Sequence, residues 1–170
     1  MRKLILFIAT SLDGYIARSN GEVDWLLADE DFGYTAFYRS IDTVLLGHKT
    51  YEQVLTFGDY PYQDKTSYVF TRDTSRTHDE WVEFVSEDIA EFTRSLKEEP
   101  GGNIWLVGGA NVIEHLQKTG LIDEYILFIH PTILGNGIPL FKPHTRQTEL
   151  KLTSTKIYPP GLVEARYERV

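Results

Sequence analysis

Short apolar runs alternate with helix-like amphipathic segments along most of this sequence, and this order limits the possible folds more than any other feature. Parallel strands need a crossover between them, which is usually a helix. The order therefore predicts an α/β fold with a largely parallel sheet. We predict strands over residues 3–9, 43–46, 67–70, 82–85, 103–107 and 124–129, and helices over residues 31–40, 50–55, 88–97 and 110–118.

The last part of the chain has a different pattern. β-type runs at 150–158 and 162–169 flank Pro159, Pro160 and Gly161, which predicts an antiparallel hairpin at the edge of the sheet. An exposed edge strand needs cover, which favours a homodimer. With 170 residues, the chain is expected to form a single domain over residues 1–170.

The composition argues against several classes of function. The formal net charge is −8 and no long basic run is present, which argues against nucleic acid or an anionic membrane as the main partner. The sequence has no cysteine, which excludes disulfides and thiolate chemistry and fits a cytoplasmic protein. We interpret the apolar run at 4–9 as a buried first strand rather than a signal peptide, and no segment is long enough to cross a bilayer.

One predicted strand turns directly into a helix at a pair of glycines. The apolar run that ends at Val107 is followed by Gly108 and Gly109, and a helical pattern begins at once. Glycine lets a ligand approach the backbone closely, and the free N–H groups of a helix N-terminus suit a phosphate. The alternative interpretation is an ordinary tight turn.

A second strand ends in the same way. Gly47 is followed by His48 and Lys49, directly before the helix predicted from Thr50. Exposed cations at a helix N-terminus are unfavourable by about 0.3–1 kcal/mol, and a bound anion would offset this cost. The alternative is that Lys49 is a solvated surface residue.

A third strand, over residues 67–70, is followed by Thr71 and Arg72. Arginine suits bidentate contacts with phosphate, although Arg72 taken alone is also typical of a surface position. In open α/β sheets, ligands bind outside the carboxyl ends of the strands. The three strand ends together therefore predict one extended ligand with several phosphates, and a dinucleotide with an extra phosphate is the natural candidate.

These segments, in this order, resemble the dihydrofolate reductase-like superfamily, and within it the reductase domain of bifunctional riboflavin-biosynthesis deaminase-reductases. The resemblance covers nearly the whole chain and rests on residues 11–17, 46–52, 70–72, 107–113 and 131–141. It implies a three-layer αβα fold with a mixed sheet, a dimer, and NADPH as the cofactor. His48 stands where the family often has arginine, and the peptide between Gly108 and Gly109 is often cis in the family.

The resemblance also implies the residues that bind NADPH. The pyrophosphate would lie between two glycine-containing strand ends, the adenosine ribose phosphate beside the third strand end, and the nicotinamide against the first strand and the segment after it. The residues at the pyrophosphate would be Gly47, His48, Lys49, Thr50, Gly108, Gly109, Ala110, Asn111, Val112 and Ile113. Those at the ribose phosphate would be Thr71 and Arg72, and those at the nicotinamide would be Ala9, Ile16 and Ala17.

The substrate side is less clearly marked. Asp13 and the glycine after it are interpreted first as a turn, although in the resembling family this loop closes over the nicotinamide. Trp25 is interpreted as a core or loop-anchoring aromatic, with substrate contact as the alternative. By resemblance, Leu134 and Gly135 would border the substrate pocket. His130 is interpreted as a structural histidine at a strand end.

An acidic run, Asp29 to Asp31, opens the first predicted helix, where the helix dipole favours acids. By resemblance to dihydrofolate reductases, Asp31 would bind the substrate. It would also assist protonation as the catalytic residue if partial burial raised its pKa.

These observations predict an NADPH-dependent reductase that transfers a hydride to a small heterocyclic or carbonyl/imine substrate. The resemblance implies a riboflavin-pathway type that acts on 5-amino-6-(5-phosphoribosylamino)uracil. No metal is expected. Two alternatives stay open, namely a dihydrofolate reductase in the strict sense and a non-catalytic NADPH-binding protein.

Overall fold

A computed structural model describes residues 1–143 and 145–170 of the chain. In chain order, its helices and strands are β1 (Leu4–Ser11), β2 (Tyr15–Ala17), α1 (Tyr34–Ser40), β3 (Ile41–Gly47), α2 (His48–Leu55), β4 (Thr66–Phe70), β5 (Glu83–Val85), α3 (Ile89–Glu98), β6 (Asn103–Gly108), α4 (Ala110–Lys118), β7 (Glu124–His130), β8 (Ile138–Pro139), β9 (Leu150–Tyr158) and β10 (Leu162–Arg169).

One sheet contains strands from both ends of the chain. Its order is β5-β4-β3-β6-β1-β7-β10-β9. All neighbours from β5 to β7 are parallel, whereas β10 is antiparallel to both β7 and β9. The predicted parallel core and C-terminal hairpin are therefore confirmed. A second sheet, β2 with β8, was not predicted because strands of three and two residues are too short to show a period in the sequence.

Helices cover both faces of the sheet, so the three-layer αβα arrangement is also confirmed. Alternate residues of β1 supply the two cores, because successive side chains of a strand point to opposite faces. Ile5 belongs to the core with Phe37 of α1 and Tyr51 of α2, which we call the α1/α2 face. Leu6 belongs to the core with residues of α3 and α4, which we call the α3/α4 face.

Two helices, α1 and α3, begin later than the sequence predicts. α1 begins at Tyr34 rather than at Asp31, because Gly33 has a left-handed φ of 80° that interrupts the helix. α3 is capped by Asp88, whose carboxylate accepts hydrogen bonds from the next N–H groups. Because Asp88 is the cap rather than the first helical residue, α3 starts at Ile89, one residue after the predicted start.

Candidate active site

The ends of β3 and β6 meet at the carboxyl edge of the sheet. Leu46 pairs with Gly108, and a Cβ added to Gly47 would lie 3.4 Å from the backbone nitrogen of Gly109 and 3.2 Å from Val112 Cγ2. From this point the chain leaves β3 towards β4 on one side, and leaves β6 towards β7 on the other. Such a reversal of direction between neighbouring strands marks the crevice where open α/β sheets bind ligands.

Two helices begin at this crevice with free N–H groups. Their caps are Gly47 for α2 and Gly109 for α4, and neither first turn contains an acid. Among the described residues, no side chain caps either helix, whereas Asp88 caps α3. The unpaired N–H groups and the positive ends of two dipoles therefore converge on one site, which suits an anion.

The two glycines of the pair serve different purposes. Gly108 has a φ of +136°, which residues with a Cβ rarely adopt. Gly109 has an extended backbone, but a Cβ there would lie 3.0 Å from Thr50 Oγ1. Gly108 is therefore needed for its backbone conformation, and Gly109 is needed because a side chain would have no space. The peptide bond between them is cis.

The first turn of α4 offers mainly its backbone to a ligand. Val112 and Ile113 are buried in the α3/α4 core, and the Ile113 N–H already donates to Gly109 O at 3.0 Å, so the free N–H groups of this turn belong to residues before Ile113. Asn111 is exposed, and Lys142 donates a hydrogen bond to its side-chain oxygen. Lys142 also lies 3.1 Å from a carboxylate oxygen of Glu114. No pattern in the sequence indicates that Lys142 lies beside α4.

The third predicted strand end lies next to the crevice. Phe70 of β4 pairs with Gly47 of β3, so Thr71 and Arg72 follow directly beside the N-terminus of α2. Thr71 is held by a hydrogen bond from its backbone N–H to Val85 O at 2.9 Å, and Arg72 is exposed. The structure therefore brings together the three strand ends that the sequence singled out.

Arg76 is a cation of this region that the sequence analysis missed. Its Nη1 lies 3.1 Å from His48 Nε2, its guanidinium carbon lies 4.1 Å from the centre of the Phe84 ring, and its Nη2 lies 3.7 Å from Asp79. His48 Nε2 also lies 3.8 Å from a carboxylate oxygen of Glu52, so this imidazole stands between a guanidinium and a carboxylate. The available signal was a second arginine in the loop that follows Arg72. We call His48, Lys49, Arg72 and Arg76 the basic cluster.

The predicted nicotinamide contacts are distributed over both sides of the sheet. Ala9 packs against the α1/α2 core, whereas Ile16 packs against the α3/α4 core. Ala17 is buried in β2, and its carbonyl oxygen approaches Gly137 so closely that a Cβ there would lie 2.3 Å away. The structure does not bring Ala9 and Ile16 to the same core, and their shared role stays a prediction.

Asp13 connects the turn between β1 and β2 to the loop after β7 through hydrogen bonds. Its carboxylate accepts hydrogen bonds from Ser11 Oγ at 2.7 Å, Leu134 N at 3.0 Å and Gly135 N at 2.8 Å. The hydrogen bond from Ser11, followed by those from the two backbone N–H groups, lowers the pKa of Asp13. The predicted substrate residues Leu134 and Gly135 are thus tied to the turn between β1 and β2, and their contact with a substrate stays a prediction.

Asp31 does not have the surroundings that its predicted role requires. It is exposed, and its Oδ1 accepts hydrogen bonds from Thr35 N at 3.1 Å and Thr35 Oγ1 at 2.6 Å. The hydrogen bond from the Thr35 side chain is the main cause that lowers the pKa of Asp31. The condition attached to its catalytic role, a pKa raised by partial burial, is therefore not met, because Asp31 is exposed and its carboxylate accepts hydrogen bonds at the start of α1.

A different carboxylate is buried on the α1/α2 face. Glu164 of β10 is 4 % exposed, accepts a hydrogen bond from Tyr158 Oη at 3.1 Å and pairs with Arg166. It lies opposite Phe128, which in turn lies opposite Ala9. The sequence offered no signal for this burial, because Glu164 alternates with apolar Val163 and Ala165 and shares its face of the strand with the charged Arg166.

Two aromatic rings meet at the end of β7. Trp25 is buried in the segment between β2 and α1, and its ring contacts that of His130 edge to face, with the centroids 5.3 Å apart. His130 lies opposite Ser11 on the α1/α2 face. Burial is the main cause that lowers the pKa of His130.

A cavity of about 430 Å³ lies between the segment 20–24 and the end of α2. Gln53 Nε2 closes one side of it with a hydrogen bond to Gly21 O at 2.7 Å. Glu22 and Asp24 line it, and none of its lining residues, all of which are described, is basic. Among residues 1–143 and 145–170, no group of side chains is arranged to hold a metal ion, and no helix is long and apolar enough to cross a membrane.

Comparison with known proteins agrees with this architecture. The RibD C-terminal domain family matches residues 2–163. The uncharacterized protein YwjB of Bacillus subtilis (strain 168) is 48 % identical over 159 residues, which cover 91 % of each chain. A crystal structure from Shewanella sp. PV-4, whose name assigns it provisionally to riboflavin biosynthesis, superposes with a TM-score of 0.85 at 29 % identity and covers 99 % of both chains.

Dihydrofolate reductase from Enterococcus faecalis, solved in complex with NADP(H), has the same fold. Its TM-score is 0.74 at 18 % identity, and the match covers 98 % of this chain and 96 % of that one. The sheet order, the crevice between two uncapped helices and the matched sequence span lead to one conclusion: this chain is a member of the RibD C-terminal domain family, with a dihydrofolate reductase-like fold.

Proposed function

We propose that this protein is an NADPH-dependent reductase. The observation that carries the proposal is the convergence of two uncapped helix N-termini, those of α2 and α4, beside the basic cluster. A protein with net charge −8 has little reason to gather cations at uncapped helix starts unless an anion binds there. The Enterococcus faecalis relative of this fold was solved with NADP(H), which supports the same ligand class here.

The residues fit the parts of this cofactor. The N–H groups after Gly47 and Gly109 would bind the pyrophosphate, and Arg72 and Arg76 would bind the ribose phosphate. Ala9 would lie against the nicotinamide, which supplies the hydride. The protein's own contribution would be to bind and orient the cofactor and to keep water from the reacting carbon.

The substrate class follows less directly. We propose a small heterocyclic or carbonyl/imine substrate, and family resemblance suggests a phosphorylated ribosylaminopyrimidine. A phosphate of this substrate should not bind in the cavity beside α2, because Glu22 and Asp24 line it and would repel the phosphate.

Two alternatives differ from this proposal in testable ways. A dihydrofolate reductase in the strict sense would need a carboxylate directed from the first helix, but the first turn of α1 has no acid. A non-catalytic NADPH-binding protein would keep the crevice and lack the substrate chemistry, and the exposed Asp31 favours this second alternative.

The deciding experiment titrates NADPH by calorimetry and thermal unfolding, and then measures NADPH oxidation with a panel of heterocyclic and carbonyl compounds. A ligand that binds only the folded state must raise the melting temperature. Turnover of an aminopyrimidine supports the proposal. Methotrexate-sensitive turnover of dihydrofolate would favour the strict reductase, and binding without any turnover the non-catalytic protein. No binding at millimolar NADPH would contradict all three.

We also propose a cytoplasmic homodimer that pairs through β9. This edge strand is exposed on both faces from Lys151 to Ile157, and Leu152 and Ile157 are 51 % and 75 % exposed. Exposed edge strands that carry apolar residues pair readily with another strand. Light scattering at micromolar concentration should give twice the mass of one chain, and Leu152→Lys should give the monomer mass. A monomer in the unmodified protein would refute the proposal.

A further inference from the structure

Two buried nitrogen atoms lack a hydrogen-bond partner within the described part of the chain: Trp25 Nε1 and His130 Nε2. Such atoms are rare in folded proteins, and each one calls for an explanation. Here the two belong to neighbouring rings, whose centroids are 5.3 Å apart and whose planes meet at 87°. Trp25 is 9 % exposed and His130 is 3 % exposed, so neither nitrogen can form a hydrogen bond with bulk solvent.

The two atoms are complementary. His130 Nδ1 lies 3.0 Å from the carbonyl oxygen of Phe128, which can only accept, so Nδ1 carries the proton. Nε2 of the neutral imidazole is therefore an acceptor with a free lone pair. The indole nitrogen of Trp25 can only donate. A donor and an acceptor thus stand unpaired on adjacent buried rings.

Their positions connect two separate parts of the fold. Trp25 lies in the segment of residues 18–33 between β2 and α1, which we call the Trp25 loop. His130 ends β7 and lies opposite Ser11, two residues after Ala9 on the same face of β1. A link between the two rings would hold the Trp25 loop at the end of the sheet where we place the nicotinamide.

We propose that Trp25 and His130 form a polar latch, in which the indole N–H donates to one buried water molecule and this water donates to His130 Nε2. A single water needs two or more polar partners, which this pair provides. The latch makes both residues positioning residues for the Trp25 loop. Its effect on the cofactor rests on the proposed function, but its existence does not.

The latch can be tested by NMR without any ligand, because the chain has two other tryptophans that serve as references. Trp105 Nε1 is bonded to Phe7 O at 3.0 Å, and Trp81 is 37 % exposed. The indole proton of Trp25 should exchange with solvent slowly, as that of Trp105 does. In His130→Phe it should shift and exchange faster, and His130→Gln, which keeps an acceptor, should restore slow exchange.

Two results would overturn the latch. One is an indole proton of Trp25 that exchanges as fast as that of Trp81 in the unmodified protein. The other is a Trp25 signal that is the same in His130→Phe and in the unmodified protein. If His130→Phe does not fold, Trp25→Phe and His130→Gln give the same comparison, because in Trp25→Phe the nitrogen signal of His130 Nε2 should move.

The positioning role is tested with NADPH. Trp25→Phe keeps an aromatic ring and removes the donor, and it should raise the dissociation constant of NADPH roughly fivefold, the change expected from one neutral hydrogen bond. Trp81→Phe is the matched control and should leave it unchanged. An unchanged constant in Trp25→Phe would overturn the positioning role. If the unmodified protein does not bind NADPH at all, the proposed function fails while the NMR result still decides the latch.

Discussion

The two ends of the proposed cleft are built in different ways. At the phosphate end, backbone N–H groups and the basic cluster come from short segments that directly follow β3, β4 and β6. At the ring end, the polar groups are Trp25, His130 and Glu164, which come from distant segments and are buried among aromatic rings. The phosphate end therefore depends on local sequence, and the ring end depends on packing. Substitutions at the phosphate end should therefore change NADPH binding, whereas Glu164→Gln at the ring end should change stability.

The largest effect should come from Gly109→Val at the phosphate end. The valine side chain would enter the space beside Thr50 Oγ1, where even a Cβ would lie only 3.0 Å away. We expect NADPH binding to be nearly abolished in calorimetry, while the extended backbone at this position still allows the protein to fold. Gly108→Ala is the comparison, and it should lower the melting temperature because of the φ of +136°. Retained NADPH affinity in Gly109→Val would mean that the glycine pair is an ordinary turn.

Arg72→Ala should have the next largest effect. A charge-assisted hydrogen bond is worth roughly 1.5–3 kcal/mol, so NADPH should bind about tenfold to a hundredfold more weakly. NADH lacks the ribose phosphate and should change little. The loss should shrink at high salt, because Arg72 is exposed. Arg94→Gln on α3 is the control. If both cofactors weaken equally, Arg72 supports the fold or the adenine instead.

Arg76→Gln tests the residue that the structure added to the basic cluster. Removal of the guanidinium takes away one phosphate partner and the hydrogen bond to His48 Nε2. We expect NADPH to bind about tenfold more weakly, which corresponds to one charged hydrogen bond. The melting temperature should fall only slightly, because the guanidinium is partly exposed and paired at the surface. An unchanged affinity would limit the cluster to the residues that the sequence identified.

At the ring end, Glu164→Gln should act on stability rather than on cofactor binding. The substitution keeps the size of the side chain and leaves Arg166 without its carboxylate partner. Loss of a buried polar partner costs about 1–3 kcal/mol, which urea denaturation would measure. NADPH affinity should be unchanged. A large loss of affinity at full stability would place Glu164 in the phosphate or nicotinamide contacts.

The smallest effect should come from Asp31→Asn. Asparagine can keep the helix-start contacts with Thr35, so we expect unchanged turnover, in contrast to the role that the sequence suggested. The stabilising effect of Asp31 should be present above the ordinary pKa of an aspartate, about 3.9, and be lost as the pH falls through the lowered folded-state pKa. A marked fall in turnover at neutral pH would restore Asp31 as a substrate residue.

Local pattern was sufficient for most of the fold. The period of the apolar residues identified the strands of the parallel core and the helices between them, because burial on both faces of a strand and on one side of a helix leaves a direct trace in the sequence. The same logic located the phosphate end, since the carboxyl ends of parallel strands lie at one edge of the sheet. The β2–β8 sheet left no such trace, because its strands have three and two residues.

The α/β architecture, the three strand ends with glycine or cations, and the hairpin after Glu149 could all be inferred from local sequence patterns. The position of β3 next to β6, which brings Gly47 against Gly109, became visible only in the folded chain. The folded chain also shows that Asp31 is exposed while Glu164 is buried, and that Trp25 meets His130. The reason is that turns and periodicity act over a few residues, whereas strand order and burial depend on contacts between segments far apart in the chain.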